Sequence, residues 1–198
     1  MKKIKLMNKI APVGIGQFDP NAYAISADMD SADAIMVRSA VMHEYPMNPE
    51  LKAIARCGAG VNNIPVDRCA EEGIVVFNTP GANANGVKEL TIAALLLASR
   101  NIVGGVNWAN TLTENVAKSV EAGKSAYAGC EIEGKTLGVI GLGAIGGMVA
   151  NAAKALGMNV IGCDPYITIE AAWHLSRSIQ KAATYEEVFQ KADYITLH

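Results

Sequence analysis

Apolar positions along the chain fall into short runs separated by helically spaced segments, the signature of alternating strands and helices. In the N-terminal half, Ile4 to Ile10 and Asp33 to Val37 read as strands, as does Ile74 to Phe77, which Asn78, Thr79, Pro80 and Gly81 stop. Asn48 to Arg56 carries helical spacing with Leu51, Ile54 and Ala55 on one face, and Pro65 to Glu72 predicts a short helix ended by Gly73. Near-continuous apolar strands among helices predict a small α/β domain whose parallel sheet is covered on both faces. A longer helix is predicted from near Asn85 towards Thr111, with a break or hinge at Gly104 and Gly105. Glu114 to Lys135 then reads as a short helix followed by a loop.

The pattern sharpens after Lys135. Thr136 to Ile140 predicts a buried strand, Gly141 to Gly147 a glycine-rich turn, and Met148 to Leu156 an alanine-rich helix closed by Gly157. Asn159 to Cys163 predicts a second strand ending at Asp164 and Pro165, Tyr185 to Gln190 a helix, and Tyr194 to Leu197 another strand. A complete doubly wound nucleotide domain has about six strands; the pattern offers about four, the last cut at its end.

Composition narrows the function classes. The 198 residues are 51% hydrophobic and 18% charged, enough apolar material for a core. The longest unbroken apolar stretch, Ile92 to Ala98, is far short of the roughly 20 residues that span a bilayer. The Lys-rich start has no apolar signal block behind it. A soluble, cytoplasmic protein without a membrane partner is expected. Net charge is −2, with ten basic and ten acidic side chains in residues 1–100 and seven and nine in residues 101–198. That even balance leaves no basic stripe, so no nucleic-acid partner is expected. Cys57, Cys69, Cys130 and Cys163 show no metal-ligand spacing, so no metal site is expected.

The most informative stretch is Gly138 to Gly146, which contains Gly-x-Gly-x-x-Gly at Gly141, Gly143 and Gly146 between a strand and a helix. Gly141 permits the tight turn, Gly143 lets backbone approach a pyrophosphate, and Gly146 allows close helix–strand packing. Free N–H groups at the helix start face the phosphates. Asp164 stands 18 residues after Gly146 at the end of the next strand, near the expected spacing of about 20. A carboxylate there accepts hydrogen bonds from the adenosine ribose and repels a 2′-phosphate, so NAD is expected rather than NADP. The alternative is an ordinary strand–turn–helix with a solvated Asp.

Together with Arg56 to Ile64 (RCGAGVNNI) and Phe77 to Asn83 (FNTPGAN), the stretch Gly138 to Asp164 resembles the D-isomer-specific 2-hydroxyacid dehydrogenases. Ala171 to Ser178 and Ala192 to His198 extend the resemblance across essentially the whole chain. It implies a flavodoxin-like substrate domain over residues 1–97 and an incomplete doubly wound Rossmann NAD-binding domain over 98–198. It also implies NAD-dependent oxidation of a small 2-hydroxy acid, and a homo-oligomer.

Carried over, Ala144 and Ile145 lie over the pyrophosphate through their N–H groups. Asp164 and Pro165 hold the adenosine ribose side, and His198 lines the cofactor side of the cleft. Asn83 and Val87 face nicotinamide and substrate, while Glu89 near that helix start suits the positive end of the dipole. Gly60 and Val61 belong to the carboxylate-binding turn; the plain alternative is a tight surface turn. Arg38 and Ser39 match the place where members acting on a phosphorylated substrate offer an Arg, whose fork suits a phosphate. The plain alternative there is a solvated Arg. The helix from Asn85 to Arg100 is either interdomain or dimer packing, or an ordinary core helix.

The family's chemistry also needs a His as general acid/base, a Glu that orients it and an Arg that polarises the carbonyl. The resemblance places all three beyond His198. No catalytic residue is therefore expected in this chain, and the 198 residues alone are expected to be inactive. His43, His174 and His198 are each rejected as the base. Two other readings stay open: a non-catalytic dinucleotide-binding or subunit-interaction module, and a dehydrogenase for another 2-hydroxy acid such as glyoxylate.

Overall fold

The computed structural model, which describes residues 1–198, places every strand in one of two parallel sheets. The chain divides into two units, Met1–Asn83 and Ala84–His198. That boundary falls earlier than the expected division between residues 97 and 98. The reason is packing: Leu95 is buried in the hydrophobic core of the second unit, with Ile92 against it.

Unit 1 runs β1 (Lys2–Leu6), α1 (Pro12–Ile15), β2 (Tyr23–Ser26), β3 (Ala34–Val37), β4 (Ala53–Arg56), α2 (Val66–Glu71) and β5 (Val75–Phe77). Its strand order is β2-β1-β3-β4-β5, the flavodoxin-like order, with the reversal of direction between β1 and β3. Ile35, Val37 and Ile54 are fully buried on one face of this sheet, sealed by Met42, Leu51, Ile64 and Cys69. Cover is not complete as expected, because Val75 and Phe77 on edge strand β5 remain 54% and 57% exposed. The helix expected over Asn48–Arg56 is instead strand β4. Ile54 pairs with Ile35 on one side and Val76 on the other, and pairing on both edges outweighs the helical spacing of Leu51, Ile54 and Ala55. Strand β1 ends at Leu6 rather than Ile10, and α1 and β2, four residues each, are too short to give a periodic signal.

Unit 2 opens with α3 (Ala84–Ser99), α4 (Ile102–Ala109), α5 (Val116–Gly123) and a 3-10 turn (Lys124–Tyr127). The break in the long helix falls at Arg100 and Asn101, not at Gly104 and Gly105, and bends the axis by 70°. The Asn101 carboxamide oxygen accepts the Gly104 N–H at 3.1 Å, and a Cβ on Gly104 would overlap that carboxamide. The glycine thus makes room for a cap and does not itself end the helix. No single helix is long and apolar enough to cross a membrane.

The sheet of unit 2 follows: β6 (Thr136–Ile140), α6 (Gly146–Ala155), β7 (Asn159–Cys163), α7 (Ile169–Trp173), β8 (Gln180–Lys181), α8 (Tyr185–Lys191) and β9 (Tyr194–Leu197). Its order, β8-β7-β6-β9, corresponds to strands 3-2-1-4 of the doubly wound dinucleotide fold. Val149, Ala150 and Ala153 form the buried stripe of α6 against Leu137, Val139, Met158 and Val160. Helix α8 starts with a capping box: Thr184 Oγ1 accepts the Glu187 N–H, and Glu187 Oε2 accepts the Ala183 N–H at 2.9 Å. β8, two residues long, gives no periodic signal in the sequence.

Candidate functional site

The glycine loop of unit 2 is built by strand β6 delivering its chain into helix α6 through a turn that only glycine fits. Gly141 has φ +83°, and a Cβ there would overlap the His198 carbonyl oxygen. A Cβ on Gly146 would overlap the Gly141 carbonyl oxygen, so the first turn of α6 lies directly on the strand end. At Gly143 the opposite holds: an added Cβ would meet nothing within 4 Å. Open space therefore stands over Gly143 while its two partner glycines are packed solid, which is the cradle a dinucleotide pyrophosphate requires. The N–H groups of Gly143, Ala144 and Ile145 make no hydrogen bond in the chain, and α6 has no side-chain cap. Its N-terminus is left to a negative group.

Asp164, half-buried after β7, has one carboxylate oxygen on the Leu142 N–H at 2.8 Å and the other on the Tyr166 N–H at 2.9 Å. These two bonds fix the carboxylate beside the glycine loop and leave acceptor capacity on both oxygens. Pro165 follows it, exposed. His198 donates its backbone N–H to Ile140 at 2.9 Å, so it stands next to Gly141. Its Nε2 lies 3.0 Å from Thr196 Oγ1, and partial burial pushes the imidazole below its ordinary value. Gly141, Gly143, Ala144, Ile145, Gly146, Asp164, Pro165 and His198 are thus gathered at the carboxyl ends of β6, β7 and β9. Val87 lies in the first turn of α3, half-buried.

In unit 1 the expected substrate residues also stand at carboxyl ends of parallel strands. Arg38 and Ser39 follow β3, exposed; Gly60 and Val61 follow β4; Asn83 is exposed in the turns after β5. What joins these loops is a set of amide and hydroxyl side chains that the sequence does not single out. Asn8 Oδ1, at the end of β1, accepts the N–H groups of Arg38, Ser39 and Ala40 at 2.8, 3.2 and 3.2 Å. Successive N–H groups converging on one oxygen form an anion nest, here filled by the chain's own carboxamide. Asn63 Nδ2 donates to the carbonyls of Arg38 and Ala40, tying the β3 loop to the β4 loop. The Thr79 N–H donates to the Gly58 carbonyl and Asn78 Nδ2 to that of Ala59, adding the β5 loop. Asn8 and Arg38 meet where the strand order reverses, the place at which open α/β sheets bind ligands.

The His43 ring is held by the Asn62 carbonyl at 3.0 Å, and exposed His174 pairs with Glu170 one turn earlier on the same helix at 3.4 Å.

A parallel sheet in the doubly wound order, with an open glycine cradle and a fixed acid at the next strand end, defines a dinucleotide-binding fold. Residues 92–198 match the family described as D-isomer specific 2-hydroxyacid dehydrogenase, NAD binding domain, and the chain belongs to that family. NAD is the cofactor of that domain, and the cradle, the fixed carboxylate and the uncapped helix fit it. D-3-phosphoglycerate dehydrogenase of Methanocaldococcus jannaschii is 42% identical over 170 residues, 84% of this chain and 30% of the relative. The Bacillus subtilis protein of the same name is 37% identical over 175 residues, 86% of this chain and 31% of the relative. The chain thus spans about a third of the length of these curated relatives. Among solved structures, NAD-bound 3-phosphoglycerate dehydrogenase of Entamoeba histolytica is 25% identical with a TM-score of 0.68, covering all of this chain and 62% of that one. A glyoxylate/hydroxypyruvate reductase of Sinorhizobium meliloti shares the fold with a TM-score of 0.79 at 22% identity, covering all of this chain and 63% of that one.

Proposed function

We propose that the chain provides the substrate-recognition and NAD-binding parts of an enzyme that oxidises 3-phosphoglycerate to 3-phosphohydroxypyruvate, the first step of the phosphorylated route to serine, in the cytoplasm. The observation that carries this reading is the 42% identity to a D-3-phosphoglycerate dehydrogenase over 170 residues, which draws on both units. Four free cysteines suit a reducing compartment.

NAD, when bound, supplies the carbon that accepts hydride from the substrate's hydroxyl-bearing carbon. The chain's own residues bind and orient. Backbone of Gly141, Gly143, Ala144, Ile145 and Gly146 cradles the pyrophosphate, and Asp164 takes the ribose hydroxyls with Pro165 beside it. Val87 would face the nicotinamide, and His198 would line the cofactor side. Gly60 and Val61 receive the substrate carboxylate through their N–H groups, with Asn83 nearby in sequence to the cofactor helix. Arg38 and Ser39 receive the phosphate. None of the chain's histidines acts as the base. Exposed Leu90, Val103 and Val106 on α3 and α4 support a homo-oligomer.

The test is calorimetric titration of the NAD-loaded chain with 3-phosphoglycerate and with D-glycerate. Wild type is expected to prefer 3-phosphoglycerate, and Arg38→Ala to bind it about tenfold more weakly while leaving D-glycerate unchanged. Equal affinity for the two acids in the wild type would sink the phosphate assignment.

A further inference from the structure

Arg38 and Ser39 are exposed, yet the backbone that carries them is closed off by two side chains. Asn8 Oδ1 accepts the N–H groups of Arg38, Ser39 and Ala40, while Asn63 Nδ2 donates to the carbonyls of Arg38 and Ala40 at 3.3 and 2.8 Å. Both backbone groups of Arg38 and both of Ala40 are thus bound by carboxamides, one 30 residues upstream of Arg38 and the other 25 residues downstream. The Asn63 carbonyl also accepts the Met42 N–H at 2.8 Å, and Met42 is fully buried, so the far end of the loop is anchored in the core. An exposed loop has no need of such bonds, because water satisfies its backbone groups. Asn63 even bears a cost for making them. Its Oδ1 is buried and has no hydrogen-bond partner. Turning the carboxamide over would set that oxygen against the two carbonyls instead. A buried acceptor without a donor is destabilising, so stability alone does not select this side chain. The Arg38 guanidinium, by contrast, enters none of the chain's ion pairs. The backbone is fixed and the cation is left free.

We propose that Asn8 and Asn63 are positioning residues for substrate choice: one through its N–H groups and the other through its carbonyls, they lock the β3 loop so that Arg38 meets the acid already ordered. This rests on the reading that Arg38 receives the phosphate. A loose loop has to be fixed when its ligand binds, and that ordering subtracts from affinity; a loop fixed beforehand avoids the loss. The gain is selective, because only a ligand that reaches Arg38 realises it. An acid without a phosphate makes no use of the loop. The clamp therefore widens the preference for the phosphorylated acid and leaves affinity for the unphosphorylated one as it was. Neither asparagine touches substrate in this scheme, and each acts through Arg38.

A mutant cycle tests this, with 3-phosphoglycerate and D-glycerate each titrated by calorimetry into the NAD-loaded chain. The proteins are wild type, Asn8→Ala, Asn63→Ala, Arg38→Ala, and each asparagine variant combined with Arg38→Ala. Each asparagine variant alone is expected to weaken 3-phosphoglycerate about fivefold and to leave D-glycerate and NADH unchanged. With Arg38 already replaced, neither should add a further loss, since the group they position is gone. Asn8→Asp, which keeps the acceptor, should bring 3-phosphoglycerate back to within about twofold of wild type. Asn63→Ala carries the test if Asn8→Ala unfolds, because it removes an orphaned buried oxygen together with the two donors. Losses that recur undiminished in the Arg38→Ala background, or that extend equally to D-glycerate, would show that the carboxamides only hold the fold, and the inference is overturned. It is overturned with the substrate reading intact if Arg38→Ala weakens 3-phosphoglycerate while both asparagine variants bind it as wild type does. If the wild type binds the two acids equally, the substrate reading falls and the inference falls with it.

Discussion

The two units solve the same problem, placing ligand-binding groups at the carboxyl edge of a parallel sheet, with different materials. In unit 2 the edge is made by what is missing: glycines at Gly141 and Gly146 let strand and helix collapse onto each other, and Gly143 leaves a hollow. In unit 1 the edge is made by what is present, since Asn8, Asn63, Asn78 and Thr79 stitch three loops together by side-chain and backbone bonds. A backbone site is confined to a few consecutive residues and keeps a fixed spacing. A stitched site draws on residues 30 positions apart, as Asn8 and Arg38 are, and has no spacing to preserve.

The sharpest way to break the comparison is at the glycines. Gly146→Val is expected to abolish NADH binding, measured by fluorescence titration, and to lower the stability of unit 2 by about 1–3 kcal/mol or more from overpacking. Gly143→Ala should leave thermal unfolding unchanged and still weaken NADH about tenfold, because the new methyl fills only the hollow. If Gly143→Ala binds NADH as wild type does, the hollow is not the pyrophosphate site. Next in size, Asp164→Ala should weaken NADH about tenfold and narrow its preference over NADPH, by loss of hydrogen bonds to a charged group. Unchanged titration curves for both cofactors would remove Asp164 from the site.

For unit 1 the comparison predicts a different signature. Asn8→Ala removes the acceptor of three N–H groups and should cost about 1–3 kcal/mol of unfolding free energy, with NADH affinity unaffected. Asn8→Asp, which restores an acceptor, should recover the stability; failure to recover would mean the nest does not hold the loop. The smallest effect concerns Asp33, whose carboxylate takes the Lys3 N–H at 2.8 Å and Lys2 Nζ at 3.0 Å. The Lys3 N–H, then Lys2, hold its carboxyl below the usual value. A depressed carboxyl stabilises the fold above its ordinary range and loses that contribution as pH falls through the depressed value. Unit 1 should therefore lose slightly more stability on acidification than the Asp33→Asn variant does, followed by circular dichroism.

What could be read in the sequence follows the same divide. Strand β6, the glycine turn, helix α6, strand β7 and Asp164 were all legible, because each rests on neighbours in the chain. The capping box at Thr184 and Glu187 fixes the start of α8 just where its pattern begins. Strand β4 was not legible. Its four residues carry a single fully buried side chain, Ile54, and become a strand only because β3 and β5 lie on either side. The helix break at Arg100 and Asn101 is masked in the sequence, since Gly104 is a stronger local signal than the asparagine that caps against it. Asn8 gave no sign of a role, because what marks it is a set of donors supplied by residues some 30 positions away.

The parallel pairing of both sheets also sets an order on synthesis. Unit 1 has all five of its strands once Phe77 has been made, so its sheet can close before the glycine loop exists. Strand β6 must wait much longer for its second neighbour, because Thr136 bonds with Asp193, 57 residues later. During that interval the nascent chain carries a core strand with one bare edge, open to any other strand it meets. Growth of the chain past Tyr194 is thus the step that takes β6 from a hazard to the centre of a sheet.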